Sequence, residues 1–288
     1  MNRILVTGAT GQLGSAVIET LVKKIPASQI SILTRKEEKR VKFQAEGFPA
    51  YLGDYDDVDA LEKAMAGVDT VLLISAGDEG NRRQQHQNVV NAAQKAGVKN
   101  IAYTSRSLKN RATLANKLMV DHFETEDYII ASGLKYAFFR NVLYLDAIPL
   151  FIGKQATETG ISLPAGDGKV AYALRSEMGE AMAHVLLQEE WENKIYNFNG
   201  GKAYSFYDIA AALTELSGKE VKYTAMETTA FEGMMKQRGL PEPVIKKIVA
   251  FLTDIKQNQE AEIGNELAIH LGRKPIALKD GLKTLFGL

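Results

Sequence analysis

Thr7-Gly8-Ala9-Thr10-Gly11-Gln12-Leu13-Gly14 stands between a short apolar run, Arg3–Thr7, and a stretch in which Leu13, Val17 and Leu21 recur at helical spacing. Strand, glycine loop and helix in that order commit the start of the chain to a unit whose helix packs back on its strand. Gly8 allows the tight turn, Gly11 lets backbone approach a bound group, and Gly14 lets helix and strand come close. The helix N-terminus offers free N–H groups and a positive dipole, which together suit a pyrophosphate. A loop needing glycine only for its own conformation is the alternative. The agreement of strand, loop and helix favours a dinucleotide held by Gly8, Thr10, Gly11, Gln12, Leu13 and Gly14.

The same alternation continues. Ile30–Leu33, Ala50–Leu52, Thr70–Ile74, Asn100–Thr104 and Tyr136–Arg140 have the character of strands. Val58–Met65, Asn81–Ala96 and Leu114–Ala131 have that of helices, the last two stopped by Gly97 and Ser132-Gly133. Strands alternating with such helices predict an α/β fold, a Rossmann-type doubly wound parallel sheet with ligands at the carboxyl ends of its strands. After Asn141 the pattern loosens. Ser176–Leu187 and Ser205–Leu216 suit helices, Lys194–Asn197 a strand, Val221–Thr224 a possible further strand, and Pro241 and Pro243 open another helix. The chain therefore divides into a dinucleotide-binding domain, 1–141, and a smaller C-terminal substrate lobe, 142–288, some of whose segments return to the core.

Composition narrows the chemistry. With 35 Lys+Arg against 35 Asp+Glu over 288 residues, no excess positive charge points to nucleic acid. The absence of cysteine excludes disulfides, thiolate zinc, iron–sulfur clusters and cysteine nucleophiles. No apolar run is long enough to cross a membrane, and Met1-Asn2-Arg3 leads directly into a strand, so a cytoplasmic location is expected. His86, His184 and His270 fall on separate helices without metal spacing, so no metal is expected. Ser105 lacks the surroundings of a hydrolase nucleophile.

The second strand ends Leu33-Thr34-Arg35, where an NAD-binding site usually carries an acid. Arg35 instead suits a 2′-phosphate, which points to NADPH; the alternative is the start of the solvated run Lys36-Glu37-Glu38-Lys39-Arg40. After the third strand, Asp54 and Tyr55 are placed to meet the adenine, or else they form a turn before a helix that Asp57 caps. Ser75 and Ala76, then Thr104 and Ser105, end strands four and five on the path of the ribose and nicotinamide.

These segments (TGATGQLG, LTR, GDYDD and IAYTS, with HFETE, YAFFRNVLY and NKIYNFNGGKAYSFYDIAAAL further on) resemble the NmrA-like atypical short-chain dehydrogenases/reductases. Within them the likeness is to the bacterial NAD(P)H:quinone reductase and triphenylmethane reductase branch, over about residues 1–220. None of the eleven tyrosines is followed four residues on by Lys, so the Tyr-x-x-x-Lys route of ordinary short-chain dehydrogenases is absent. The resemblance puts His122 in its place, as a donor to oxygen that gains charge when hydride arrives. Glu126, four residues on, would orient the ring; a structural histidine is the alternative. Asn141 would reach nicotinamide or substrate, and Tyr144 would give an aromatic acceptor a flat wall. Arg175 suits a structural salt bridge better than a substrate contact. The resemblance implies hydride transfer from NADPH to quinones or similar conjugated aromatic acceptors, without flavin, in a chain free to form a homodimer. Its rival is a non-catalytic NADP(H)-binding redox sensor of the NmrA type.

Overall fold

The computed structural model of the protein describes residues 3–77 and 81–288. The first half runs β1 (Ile4–Val6), α1 (Gln12–Leu21), β2 (Ile30–Thr34), α2 (Glu37–Ala45), β3 (Ala50–Leu52), α3 (Val58–Met65), β4 (Thr70–Leu73), α4 (Arg82–Lys95), β5 (Asn100–Arg106), α5 (Val120–Ser132) and β6 (Lys135–Asn141). The second half runs α6 (Ile148–Ile152), α7 (Ala156–Thr159), β7 (Ile161–Leu163), β8 (Lys169–Val170), α8 (Arg175–Leu186), β9 (Lys194–Phe198), β10 (Tyr204–Ser205) and α9 (Phe206–Ser217). It closes with β11 (Tyr223–Ala225), α10 (Thr228–Gln237), α11 (Glu242–Lys256), α12 (Glu266–Leu271) and α13 (Leu278–Phe286).

Among the described residues the central sheet has seven parallel strands in the order β3-β2-β1-β4-β5-β6-β9. β1, β2 and β4 are buried at every position, as strands covered by helices on both faces must be. The strand order reverses between β1 and β4, and the crevice at that reversal opens at the carboxyl ends. Local chemistry fixes the helix starts: Asp57 caps α3 by accepting from the Ala60 N–H (3.0 Å), and Asn81 caps α4 through the Gln84 N–H (3.2 Å). The charge run after Arg35 opens α2, with Glu37 and Glu38 at its positive end and Arg40 bonded back to Glu37.

One expected element is shorter. In place of a helix from Leu114, two single turns, Arg111–Thr113 and Lys117–Met119, precede α5 at Val120. Asn110 and Asn116 cap these turns with their own side chains. Asp254, at the end of α11, takes the N–H groups of Ala115 and Asn116 at 2.7 and 3.0 Å, pulling that backbone away from a helical path.

β9 pairs with β6 from Ala137↔Lys194 to Asn141↔Phe198. α8 lies on α1 so closely that a Cβ at Gly179 would stand 2.6 Å from the Ala16 Cβ. α12 packs on α8 and β9. The remainder forms a lobe around two short strand pairs, β7 with β11 and β8 with β10. The sheet face under α1 and α8 and the interior of this lobe share one apolar cluster, from Val6 and Leu13 through Phe139 and Phe198 to Phe231 and Leu252. The opposite face, with Leu5, Val71, Tyr103 and Phe138, has its own. Among the described residues no helix is long and apolar enough to cross a membrane.

Candidate functional site

The glycine loop is shaped as a cradle. Gly8 has φ +59°, and its carbonyl accepts from the Gly11 N–H at 3.0 Å. A Cβ at Gly14 would lie 2.4 Å from that carbonyl and 2.9 Å from the Ala9 Cα, so α1 could not sit where it does. Gly11 begins α1 with no side-chain cap, and no acid stands in the first turn. Thr10, Gly11 and Gln12 are exposed and leave the amide end of the helix open to an anion. The Leu13 side chain, by contrast, is buried in the core, so only its backbone faces the cradle.

Arg35 follows β2, exposed, and takes part in no hydrogen bond or ion pair with the described residues. Arg40 is committed to Glu37 and Gln44, which separates the two arginines of this stretch. Asp54 is exposed and accepts from the N–H groups of Asp56 and Asp57 through one oxygen. It therefore makes the turn, and Asp57 makes the cap. Tyr55 is partly buried and anchored by its hydroxyl. Its hydroxyl donates to the Ile74 carbonyl (2.7 Å) and stands 2.5 Å from Thr7 Oγ1, tying β3 to the ends of β1 and β4. Burial pushes that hydroxyl well above the ordinary tyrosine range.

Ser75 donates its N–H to Thr104 Oγ1 at 2.8 Å, joining the ends of β4 and β5. The next residues along, toward β9, carry unmatched polar atoms. Ser105 Oγ, Arg106 Nε, Asn116 Nδ2, Asn141 Oδ1 and Asn199 Oδ1 are buried without a partner; among the described residues Trp191 Nε1 is the sole other such side-chain atom. Five of six unmatched atoms thus gather at the ends of β5, β6 and β9 and on the loop after β5. Buried polar groups are ordinarily paired, so these ends form a candidate place for a polar ligand. Asn141, wholly buried, offers its Nδ2 to the Tyr144 hydroxyl at 3.4 Å and keeps its carbonyl oxygen free.

His122 lies on α5, buried, its Nδ1 2.8 Å from the Tyr103 hydroxyl. Burial, reinforced by Arg82, Arg106 and His86, holds its pKa well below the ordinary histidine value, so the ring is neutral. Glu126 does not orient it. Arg140 of β6 takes both Glu126 oxygens, at 2.9 and 2.5 Å, and lies over the Phe123 ring. The helical spacing allowed the His–Glu pair, but a bidentate guanidinium from the sheet is the stronger partner. Arg175 sits 4.1 Å over the Tyr144 ring and bonds Asp146 through its backbone, so one face of Tyr144 is already covered.

Other residues here escaped the sequence reading. Arg106 donates to both oxygens of Glu260 at 2.7 Å, and the Leu143 N–H reaches the same carboxylate at 2.6 Å. Burial pushes the Glu260 carboxyl up, with Arg106 acting against it. Gln259 takes the Asn110 N–H and donates to Thr113. His86, set aside as a lone histidine, is buried between α4 and α5.

Residues 1–279 match the NmrA-like family. Quinone oxidoreductase 2 of Escherichia coli (strain K12) is 42% identical over 240 residues, covering 83% of each chain. The crystal structure of NADPH-dependent quinone oxidoreductase QOR2 from Escherichia coli with NADPH superposes with a TM-score of 0.91 at 36% identity, covering 98% of this chain and 99% of that one. Triphenylmethane reductase of Citrobacter sp. with NADP(H) gives 0.89 at 35% identity, over 98% and 99%.

Proposed function

The chain belongs to the NmrA-like family, and from that premise we propose that it is an NADPH-dependent reductase delivering hydride to quinones or similar flat conjugated acceptors. The observation that carries this is the line from the open end of α1 to the unmatched buried polar atoms at the ends of β5, β6 and β9. A cradle for phosphates lies at one end of that line and polar atoms awaiting a partner at the other.

NADPH supplies the hydride when bound. The backbone N–H groups of Gln12 and Leu13 hold its pyrophosphate, and Arg35 grips the 2′-phosphate. Ser75, Ala76, Thr104 and Ser105 line the ribose path, and Asn141 offers a free carbonyl oxygen to the carboxamide or the acceptor. Asp54 and Tyr55 contribute by shaping the turn below the adenine. We place the acceptor under the C-terminal lobe, against the face of Tyr144 away from Arg175. His122, being neutral, acts as a hydrogen-bond donor to the oxygen that gains charge, and the proton that completes the hydroquinone comes from solvent.

The test is NADPH oxidation followed at the nicotinamide absorbance across a panel of small quinones. Turnover with quinones and a strong preference for NADPH over NADH is the expected result. Tight NADPH binding without turnover of any acceptor would sink the reductase reading in favour of a redox sensor.

A further inference from the structure

Ala76 is held at both of its backbone groups by side chains from the first two turns of α4. Its N–H donates to His86 Nε2 at 2.9 Å, and its carbonyl accepts from Arg82 Nε at 3.1 Å. Both side chains are buried and stand four residues apart on one helix face. Each then reaches the segment that leads into and forms α5. Arg82 Nη1 donates to the Leu118 carbonyl at 2.8 Å. Because His86 Nε2 is an acceptor, the ring proton is on Nδ1, which donates to Thr125 Oγ1 at 2.9 Å. The Thr125 hydroxyl donates in turn to the Asp121 carbonyl at 2.8 Å, one residue from His122. The Tyr103 ring, whose hydroxyl meets His122, stands edge-on to His86 at 5.3 Å.

We propose that His86, with Arg82, is a positioning residue that sets the distance between the cofactor-facing end of β4 and the helix carrying His122; this rests on the reductase reading above. Both ring nitrogens are spent inside the protein, so His86 passes no proton to a substrate. What it does is join two pieces that would otherwise be independent: the backbone beside the ribose at Ser75 and Ala76, and the α5 turn beside the acceptor. Burial next to Arg82 pushes its pKa down to about 3, which keeps Nε2 available as an acceptor at every pH where the enzyme works.

Three variants of the full chain and one spectrum decide it. His86→Phe keeps a ring but removes both bonds, and should raise the NADPH Kd and lower kcat by about tenfold each, the scale of one buried hydrogen bond. His86→Gln places Oε1 where Nε2 accepts from Ala76, and should recover most of the NADPH affinity. Thr125→Val cuts only the α5 side, and should lower kcat severalfold with NADPH Kd unchanged. In the wild type, ¹⁵N NMR should show His86 with a pyrrole-type Nδ1 and a pyridine-type Nε2 across neutral pH. The opposite tautomer overturns the proposal. So does a folded His86→Phe with wild-type Kd and kcat. If His86→Phe does not fold, Thr125→Val decides, and a wild-type kcat in that variant overturns it. A wild type that binds NADPH but reduces no quinone sinks the reductase reading instead. The recovery of affinity from His86→Phe to His86→Gln then decides this one.

Discussion

The glycine loop at 7–14 and the segment 254–260 lie at opposite ends of the chain and treat their polar groups in opposite ways. The loop spends the Gly11 N–H on the Gly8 carbonyl and leaves the next amides of α1 without a cap, and Thr10 and Gln12 are exposed. The C-terminal segment commits its side chains. Asp254 takes two backbone N–H groups, Asn258 one, Gln259 bonds Asn110 and Thr113, and Glu260 is shared by Arg106 and Leu143. On the reading proposed above, the first region is completed by the cofactor, and the second holds in place the walls that the cofactor meets. Damage to the two should therefore be distinguishable, one in binding and the other in stability.

The largest effect is expected at Glu260. Glu260→Ala strands the Arg106 guanidinium beside a cavity, and removing one partner of a buried pair costs about 3–5 kcal/mol. Urea denaturation should show that loss while the folded fraction keeps its NADPH Kd. A stability within 1 kcal/mol of wild type, to an order of magnitude, would mean the clamp holds nothing. Next comes Gly11→Val. Gly11 has φ −81°, which valine tolerates, and its Cβ would stand 3.3 Å from the Gly8 carbonyl oxygen, a tight contact that a shift of a few tenths of an ångström relieves. The fold should survive, but isothermal titration should show NADPH affinity down by about a hundredfold, as two charge-assisted N–H contacts are lost. A variant that unfolds instead would erase the distinction between the two regions.

Arg35→Ala is the sharper and smaller test. It should weaken NADPH by about 1.5–3 kcal/mol and leave NADH nearly unchanged, since only the 2′-phosphate loses a partner. Equal losses for both cofactors would place the phosphate elsewhere. The smallest effect is expected at His122. A neutral imidazole contributes a hydrogen bond rather than a proton, so His122→Ala should lower kcat by about tenfold. The sign of the pKa shift sets the pH profile. Because the folded pKa is depressed, the ring is neutral from well below its ordinary value upward, so kcat has no histidine limb as pH rises through neutrality. A rate that falls across that range in the wild type, and not in the variant, would restore His122 as a proton donor.

The contrast also explains what could be known from sequence. Gly8, Gly11, Gly14 and Arg35 act through neighbours a few positions away, and strand, loop and helix periodicity carry that kind of information. Asp57 as a cap was legible for the same reason. Glu126 was assigned to His122 because helical spacing is visible in a sequence, whereas Arg140, on another strand, is not. The partners that anchor the Tyr55 hydroxyl, Thr7 and Ile74, lie far along the chain and leave no mark on the sequence around it. The start of α5 is not legible locally because Asp254, which pulls the backbone at Ala115 off a helical path, stands more than a hundred residues later. Glu260 and His86 carried no motif at all; their roles exist only once distant strand ends are brought together.

The seventh strand has a consequence for how the chain is made. β9 covers the open side of β6, yet the whole run from Val142 to Asn193 is synthesised between them. While the ribosome works through that stretch, β6 is an unpaired edge carrying Phe138 and Phe139, both wholly buried in the finished protein. The nascent sheet is thus at its stickiest after the dinucleotide half is complete, and a chaperone has most to shield there. A stall or nonsense codon between 142 and 193 would release a product with its cofactor loop in place and an apolar strand edge exposed, bound for aggregation and not for a smaller working enzyme.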